Sequence, residues 1–158
     1  MKHPKKNALV FIFIISLLVT LLSLYYSYYG DIFVNIMSGD FFNPLNALTP
    51  CALCWYQRIA LYPIAFLTWL ALLKKDYNIV YYITPMAIIG GLIALYQYGL
   101  EQNRTPDTGI CGTNPIVSCD GIQVEYFGFI TLPLMSFITF LVIIIIAYNI
   151  IWYQRKNK

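Results

Sequence analysis

The chain has very little charge. Only 11% of its 158 residues are Asp, Glu, Lys or Arg, against about 25% in a typical soluble domain. Intrinsic disorder, which needs high charge and low hydrophobicity, is excluded. A water-soluble globular fold would lack the polar surface it requires. Histidine is scarcer still: the single one, His3, lies in a basic N-terminal tail. Imidazole acid–base chemistry is therefore excluded from the rest of the chain. There is no phosphate-binding loop, no dinucleotide fingerprint and no Ser–His arrangement. A net charge of +3, scattered along the chain, gives no basic patch for nucleic acid. No internal repeat, low-complexity tract or second domain is visible.

Apolar residues are abundant, at 59% of the chain, and the mean hydropathy is +0.66. They gather in four runs, about 8–29, 51–73, 79–99 and 127–152. Each can cross about 30 Å of hydrocarbon at about 1.5 Å per residue. None carries the polar stripe of a helix that faces water. The expected fold is an all-α integral membrane protein, a bundle of four transmembrane helices forming a single membrane domain over 1–158. The first run follows Lys2, Lys5 and Lys6, as a signal peptide would. It is too long for one and ends in Tyr25-Tyr26-Ser27-Tyr28-Tyr29, not a small-residue cleavage site. It reads as a retained anchor with an interfacial tyrosine belt.

Basic residues set the expected orientation. Lys2, Lys5, Lys6, Lys74, Lys75, Arg155, Lys156 and Lys158 fall on one side of the four-span arrangement; with Asp76 that side carries +7, and the other carries −4. The positive-inside rule then places both termini and the Lys74–Asp76 turn in the cytoplasm. The outer segments are 30–50 and 100–126. The first, with Ile32-Phe33-Val34 and Phe41-Phe42, is expected to lie along the membrane surface. The second is rich in Gly, Pro, Asn and Asp, as a loop should be.

All four cysteines fall on the outer side, where disulfides persist. Thr49-Pro50-Cys51-Ala52-Leu53-Cys54 reads as a helix start, with Thr49 as cap and Pro50 in the first helical position. Cys51 and Cys54 would then sit in the first turns, where free N–H groups and the helix dipole stabilise a thiolate. Such a pair suits turnover better than stapling, although a structural disulfide is the alternative. At about 100° per residue, Cys51, Cys54, Arg58 and Tyr62 share one face, bordered by Trp55. Arg58 lies about 10 Å below Cys51 along the axis. An intramembrane charge is a functional candidate by default. Arg58 either snorkels to the headgroups or donates to something that becomes anionic beside Cys54, best a lipid-soluble carbonyl or quinone oxygen. Gln57 points elsewhere and is expected to bond a neighbouring helix. Tyr96 and Gln97, near the outer end of the third run, are candidates for lining a cofactor pocket.

Cys111 and Cys119 close a short, exposed loop. Exposed disulfides tend to be the labile or catalytic ones, and a structural clip is the alternative. A zinc site is disfavoured, because seven residues separate this pair instead of the usual two to four. Pro63, Pro85 and Pro133 are expected to interrupt the second, third and fourth helices. Gly90-Gly91 is expected to permit close helix packing.

With those motifs assembled, the chain resembles the DsbB family of disulfide bond formation proteins, in particular its Gram-positive, BdbC-like branch. Cys51-Ala-Leu-Cys54-Trp-Tyr-Gln-Arg58 is similar to the family's Cys-x-Leu-Cys-x-Tyr-x-Arg signature. Leu100-Glu101-Gln102 and Phe127-Gly128-Phe129-Ile130-Thr131-Leu132-Pro133 also look like that branch. The resemblance implies a multi-pass plasma-membrane oxidoreductase with two redox-active disulfides, Cys51–Cys54 and Cys111–Cys119, on the extracytoplasmic face. It implies a quinone cofactor, menaquinone or ubiquinone, drawn from the membrane pool and held near Arg58 and Cys54. Its partner would be a DsbA-like (BdbD-like) extracytoplasmic thiol–disulfide oxidoreductase of thioredoxin fold. That partner would attack Cys111; Cys119 would resolve the loop pair and attack Cys51, and Cys54 would face the quinone. Some relatives carry a histidine near the outer end of the third helix, where this chain has tyrosines and Gln97. The loop cysteines are also closer together than in the best-known Gram-negative members.

An electron acceptor makes energetic sense of such a site. A strongly oxidising partner sits near −120 mV and an ordinary Cys-x-x-Cys pair near −270 mV, so electrons would climb roughly 150 mV, about 7 kcal/mol. Tuned cysteines and an external sink must close that gap. Two other readings compete. A vitamin K epoxide reductase-like protein would place the Cys-x-x-Cys pair after the loop pair, the reverse of the order here. A disulfide-stapled membrane subunit leaves the placement of Arg58 without a purpose.

Overall fold

The computed structural model describes residues 4–29, 37, 39, 51–102, 125–126 and 130–156. Cys111, Cys119, Thr49, Pro50 and the apolar clusters of the 30–50 segment lie outside the described residues. Four helices dominate: α1 (Pro4–Tyr29), α2 (Ala52–Lys74), α3 (Val80–Glu101) and α4 (Leu132–Lys156). All four, α3 with the short turn before it, are long and apolar enough to cross a membrane. The protein is an all-α, four-helix membrane protein.

The helices pack in a ring. α1 lies on α2, α2 on α3 and α3 on α4, and a sparser contact between α1 and α4 closes it. The interior is largely apolar: Leu9, Ile12, Leu61, Ile64, Ile83, Ala87, Phe140 and Ile143 belong to one buried cluster. The outward faces are aliphatic and aromatic too, with Leu18, Ile59, Leu92 and Ile145 all exposed. Water would penalise that surface, whereas lipid tails do not. Helix association must then come from close packing. Gly90 supplies it: a Cβ built there would stand 2.5 Å from Cζ of Phe140, so the ring of α4 lies directly on the backbone of α3.

The turn after α2 is locally determined. Lys75 adopts the left-handed conformation (φ 54°) and caps the helix. Asp76 then accepts from the backbone N–H of Asn78 at 2.9 Å and starts a single 3-10 turn, Tyr77–Ile79. Gln154 of α4 donates to the carbonyl of Tyr77 at 3.0 Å, which ties the C-terminal end of α4 to this turn.

Two boundaries differ from the sequence reading in ways that bear on the site. The fourth helix begins at Leu132, not near Phe127. Before it, Glu125–Tyr126 (β1) and Ile130–Thr131 (β2) form a small antiparallel pair, Glu125 opposite Thr131 and Tyr126 opposite Ile130. In a helix begun at Phe127, Pro133 would forfeit the bond to the carbonyl of Phe129 and clash with it. Starting at Leu132 puts Pro133 in the first turn, where its missing N–H costs nothing. Contrary to expectation, Pro133 therefore does not interrupt the helix. Pro63 and Pro85 do lie inside α2 and α3.

Candidate active site

The second difference shapes the site. The first helical residue of α2 is Ala52, and Cys51 itself is the N-cap, with extended backbone (φ −71°, ψ 169°). Its Sγ accepts from the backbone N–H of Cys54 at 3.4 Å. The expected cap, two residues earlier, is thus replaced by the cysteine. The geometry follows from the spacing, because an N-cap side chain folds back onto the third helical residue. The same fold-back brings the two sulfurs together: Cys51 Sγ–H donates to Cys54 Sγ at 3.2 Å. Both cysteines are free thiols, near enough to bridge by a small side-chain rotation. Cys51 is buried with Leu53 and Leu100, and Cys54, Ile93 and Tyr96 pack around them.

Gln97 reaches the sulfurs from α3. Its Nε2 stands 3.3 Å from Cys51 Sγ and 3.3 Å from Cys54 Sγ. Gln57 bonds a neighbouring helix as expected, donating from Nε2 to Oε1 of Gln97 at 2.8 Å, but it does not point away from the site: it lines the same cavity as Cys54 and Arg58. Gln97 therefore contacts the sulfurs directly, and Gln57 reaches them only through Gln97.

Arg58 is 9% exposed and turns sideways onto α1. Its Nε donates to Ser23 Oγ at 2.7 Å, and its Nη2 donates to the Ser23 carbonyl at 3.1 Å and to Ser27 Oγ. The guanidinium carbon lies 5.5 Å from the centre of the Trp55 ring, a cation–π contact. Among the described residues, no carboxylate pairs with Arg58 and no acceptor meets its Nη1. Ser23 and Ser27 escaped the sequence reading. Their signal was present: two hydroxyls four residues apart share one face of an otherwise apolar run. This contact near the start of α2 also fixes α1 antiparallel to it.

Beside Arg58 lies a cavity of about 130 Å³ between α1, α2 and α4. Val19, Leu22, Leu61, Met135 and Phe140 make most of its wall apolar; Cys54, Gln57, Arg58, Ser23, Ser136 and Thr139 supply the polar atoms. On α4 the signal was the same: Ser136 and Thr139, three residues apart, share one face of an apolar run and both line the cavity. Gln97, expected at a cofactor pocket, is not among the lining residues; it approaches the sulfurs from the α3 side. Tyr62 also lies away from the cavity, with its hydroxyl buried and without a hydrogen-bond partner among the described residues. No group of three or more His, Cys, Asp or Glu side chains that could hold a metal occurs among the described residues.

The arrangement joins an exchangeable thiol pair to an apolar cavity bearing an unspent cationic donor. Comparison with known proteins agrees with that chemistry. The model of the DsbB family, described as disulfide bond formation protein DsbB, matches residues 32–150. The SPbeta prophage-derived disulfide bond formation protein B of Bacillus subtilis is 42% identical over 128 residues, covering 80% of this chain and 84% of that protein. Disulfide bond formation protein C of Bacillus subtilis is 39% identical over 115 residues, 71% of this chain and 80% of that one. The probable disulfide formation protein C 2 of Bacillus anthracis is 39% identical over 117 residues, 74% and 82% of the two chains. No solved structure matches. The chain belongs to the DsbB family, on its BdbC-like branch. It is a multi-pass, disulfide-forming membrane protein with disulfide oxidoreductase chemistry.

Proposed function

We propose that this protein reoxidises an extracytoplasmic thiol oxidase of thioredoxin fold and passes the electrons to a membrane quinone. The observation that carries the reading is the position of Cys54: its sulfur lies 3.2 Å from that of Cys51, and the residue lines the cavity that Arg58 also lines.

The cavity suits a quinone head group on three counts. An engineered apolar cavity of about 150 Å³ accepts a benzene ring, and this one has about 130 Å³ with mostly apolar walls. Arg58 Nη1, and the side chains of Gln57 and Ser136, are polar groups able to donate to ring oxygens; the hydroxyl of Thr139 is already given to the carbonyl of Met135 at 2.9 Å. Cys54 brings the thiol that must be emptied of electrons. Arg58 and Cys54 would hold the head group, and when bound it would supply a two-electron acceptor.

The chain's own steps are thiol–disulfide exchanges. A partner thiolate attacks Cys111, forms a mixed disulfide and expels Cys119 as a thiolate. Cys119 attacks Cys51; the Cys51–Cys54 bond breaks, and Cys54 leaves as a thiolate at the helix start. The partner's second thiolate attacks its own sulfur in the mixed disulfide and frees Cys111. Cys111 then attacks Cys119, restores the loop disulfide and releases Cys51, which takes a proton and donates to Cys54. Two electrons have moved from the partner to the inner pair. Trp55, stacked on Arg58, keeps the guanidinium beside the cavity. The basic residues at the opposite end support an outward-facing cysteine end in the cell membrane.

The test is quinone-dependent oxidation of a reduced thioredoxin-fold partner by single Cys→Ser variants at 51, 54, 111 and 119. Each should lose turnover by two orders of magnitude or more. Undiminished turnover by any one of them overturns the reading.

A further inference from the structure

Gln97 is 3% exposed, and its amide nitrogen has the two sulfurs as its acceptors, each at 3.3 Å. An amide nitrogen carries two hydrogens, so both are committed to the cysteines. The other end of the amide is pinned, because Gln57 Nε2 donates to Oε1 at 2.8 Å. The contact from Cys54 Sγ to that oxygen is long, at 3.7 Å. The amide could in principle turn either end to the sulfurs. Gln57 selects the donor end.

These contacts discriminate between redox states. A thiolate is a strong acceptor, and hydrogen bonds to a charged group are about twice as strong as neutral ones. A disulfide sulfur is a weak acceptor and gains little from the same amide. A donor fixed on both sulfurs therefore favours the open pair over the closed one. A pair whose reduced form is stabilised is a stronger oxidant.

We propose that Gln97, oriented by Gln57, raises the reduction potential of the Cys51–Cys54 pair by donating to both sulfurs in the reduced state. Gln97 is a positioning residue for this pair, and Gln57 acts through it. The inference deepens the proposed function and rests on its assignment of Cys51–Cys54 as a redox pair. It gives the two glutamines a share in closing the energetic gap that an untuned pair would face.

The experiment uses the full chain with Cys111→Ser and Cys119→Ser, in detergent and without quinone, equilibrated against reduced and oxidised glutathione. Two glutathione thiols become one disulfide as the Cys51–Cys54 bond breaks. The sulfurs gain two electrons, Cys51 takes one proton, and the other goes to solvent when Cys54 leaves as a thiolate. Acid quenching and alkylation then count the free thiols. Gln97→Leu should shift this equilibrium toward the disulfide by about tenfold, or ~30 mV. Gln57→Leu should shift it the same way by a smaller factor. A folded Gln97→Leu protein whose equilibrium stays within about twofold of the parent overturns the inference; it leaves the proposed function standing. Should Gln97→Leu fail to fold, the decision passes to Gln57→Leu, and an unmoved equilibrium there overturns it. A parent pair that exchanges with glutathione at no ratio sinks the redox assignment itself, and this inference with it.

Discussion

Arg58 is a buried cation whose partners are two serine hydroxyls, one carbonyl and an aromatic face, with no carboxylate among the described residues. Desolvating a charge without a counter-ion is costly, so a site that keeps one has a use for it. Arg58 lines the cavity and keeps Nη1 unspent, which points to that use. Removing a hydrogen bond to a charged group costs about 1.5–3 kcal/mol. Arg58→Ala should therefore raise the KM for quinone by at least an order of magnitude. Arg58→Lys should recover little, because one ammonium cannot reproduce the planar fork that spans Ser23 and Ser27 while still facing the cavity. Initial rates over a quinone titration check both, and an unchanged KM in Arg58→Ala would remove Arg58 from the quinone step. The stripe Cys51–Cys54–Arg58 was legible in the sequence because helical spacing alone defines it. Which of the candidate polar residues would meet it was not. Ser23, Ser27 and Gln97 meet it across helix contacts, and spacing within one helix says nothing about which neighbour it faces.

At the level of elements, the contact between α3 and α4 connects packing to the site. Phe140 covers Gly90 with its ring and also lines the cavity. A methyl at position 90 would strike the ring tip, and overpacking of this kind costs about 1–3 kcal/mol. Gly90→Ala should lower the thermal midpoint in detergent and, by pushing Phe140 toward the cavity, raise the KM for quinone. Phe140→Leu in the same chain should relieve both effects. Thermal unfolding and the quinone titration on the single and double variants check this; a Gly90→Ala protein with unaltered stability would show that the ring moves freely. The close approach at Gly90 was readable from the glycine pair. The ends of the elements were less so. Thr49-Pro50 looks like a cap and first turn, yet Cys51 takes the cap position, because its own sulfur can accept from Cys54. Pro133 looks like an interruption, yet the helix starts late enough to place it in the first turn.

For the whole molecule, four spans follow directly from hydropathy, since each must carry about 20 apolar residues. Their mutual arrangement does not. The helices are apolar on every side, so no polar face declares which stripe meets protein and which meets lipid. Orientation rests instead on charge, and the fold makes it testable. Gln154 ties the end of α4 to the turn that follows α2, while Arg58 and Ser23 set the start of α2 against the far half of α1. Lys75 and the cysteine pair therefore mark opposite ends of the bundle. With the cysteine end outward, Gln102, at the end of α3, faces the extracytoplasmic side and Lys75 the cytoplasm. In a chain whose native cysteines are replaced by serine, Gln102→Cys should react with a membrane-impermeant maleimide on intact cells. Lys75→Cys should react only after permeabilisation. The reverse pattern would put the thiol pair in the reducing cytosol, where disulfides do not persist, and no arrangement of Gln97, Arg58 and the cavity could then serve the oxidation of exported thiols.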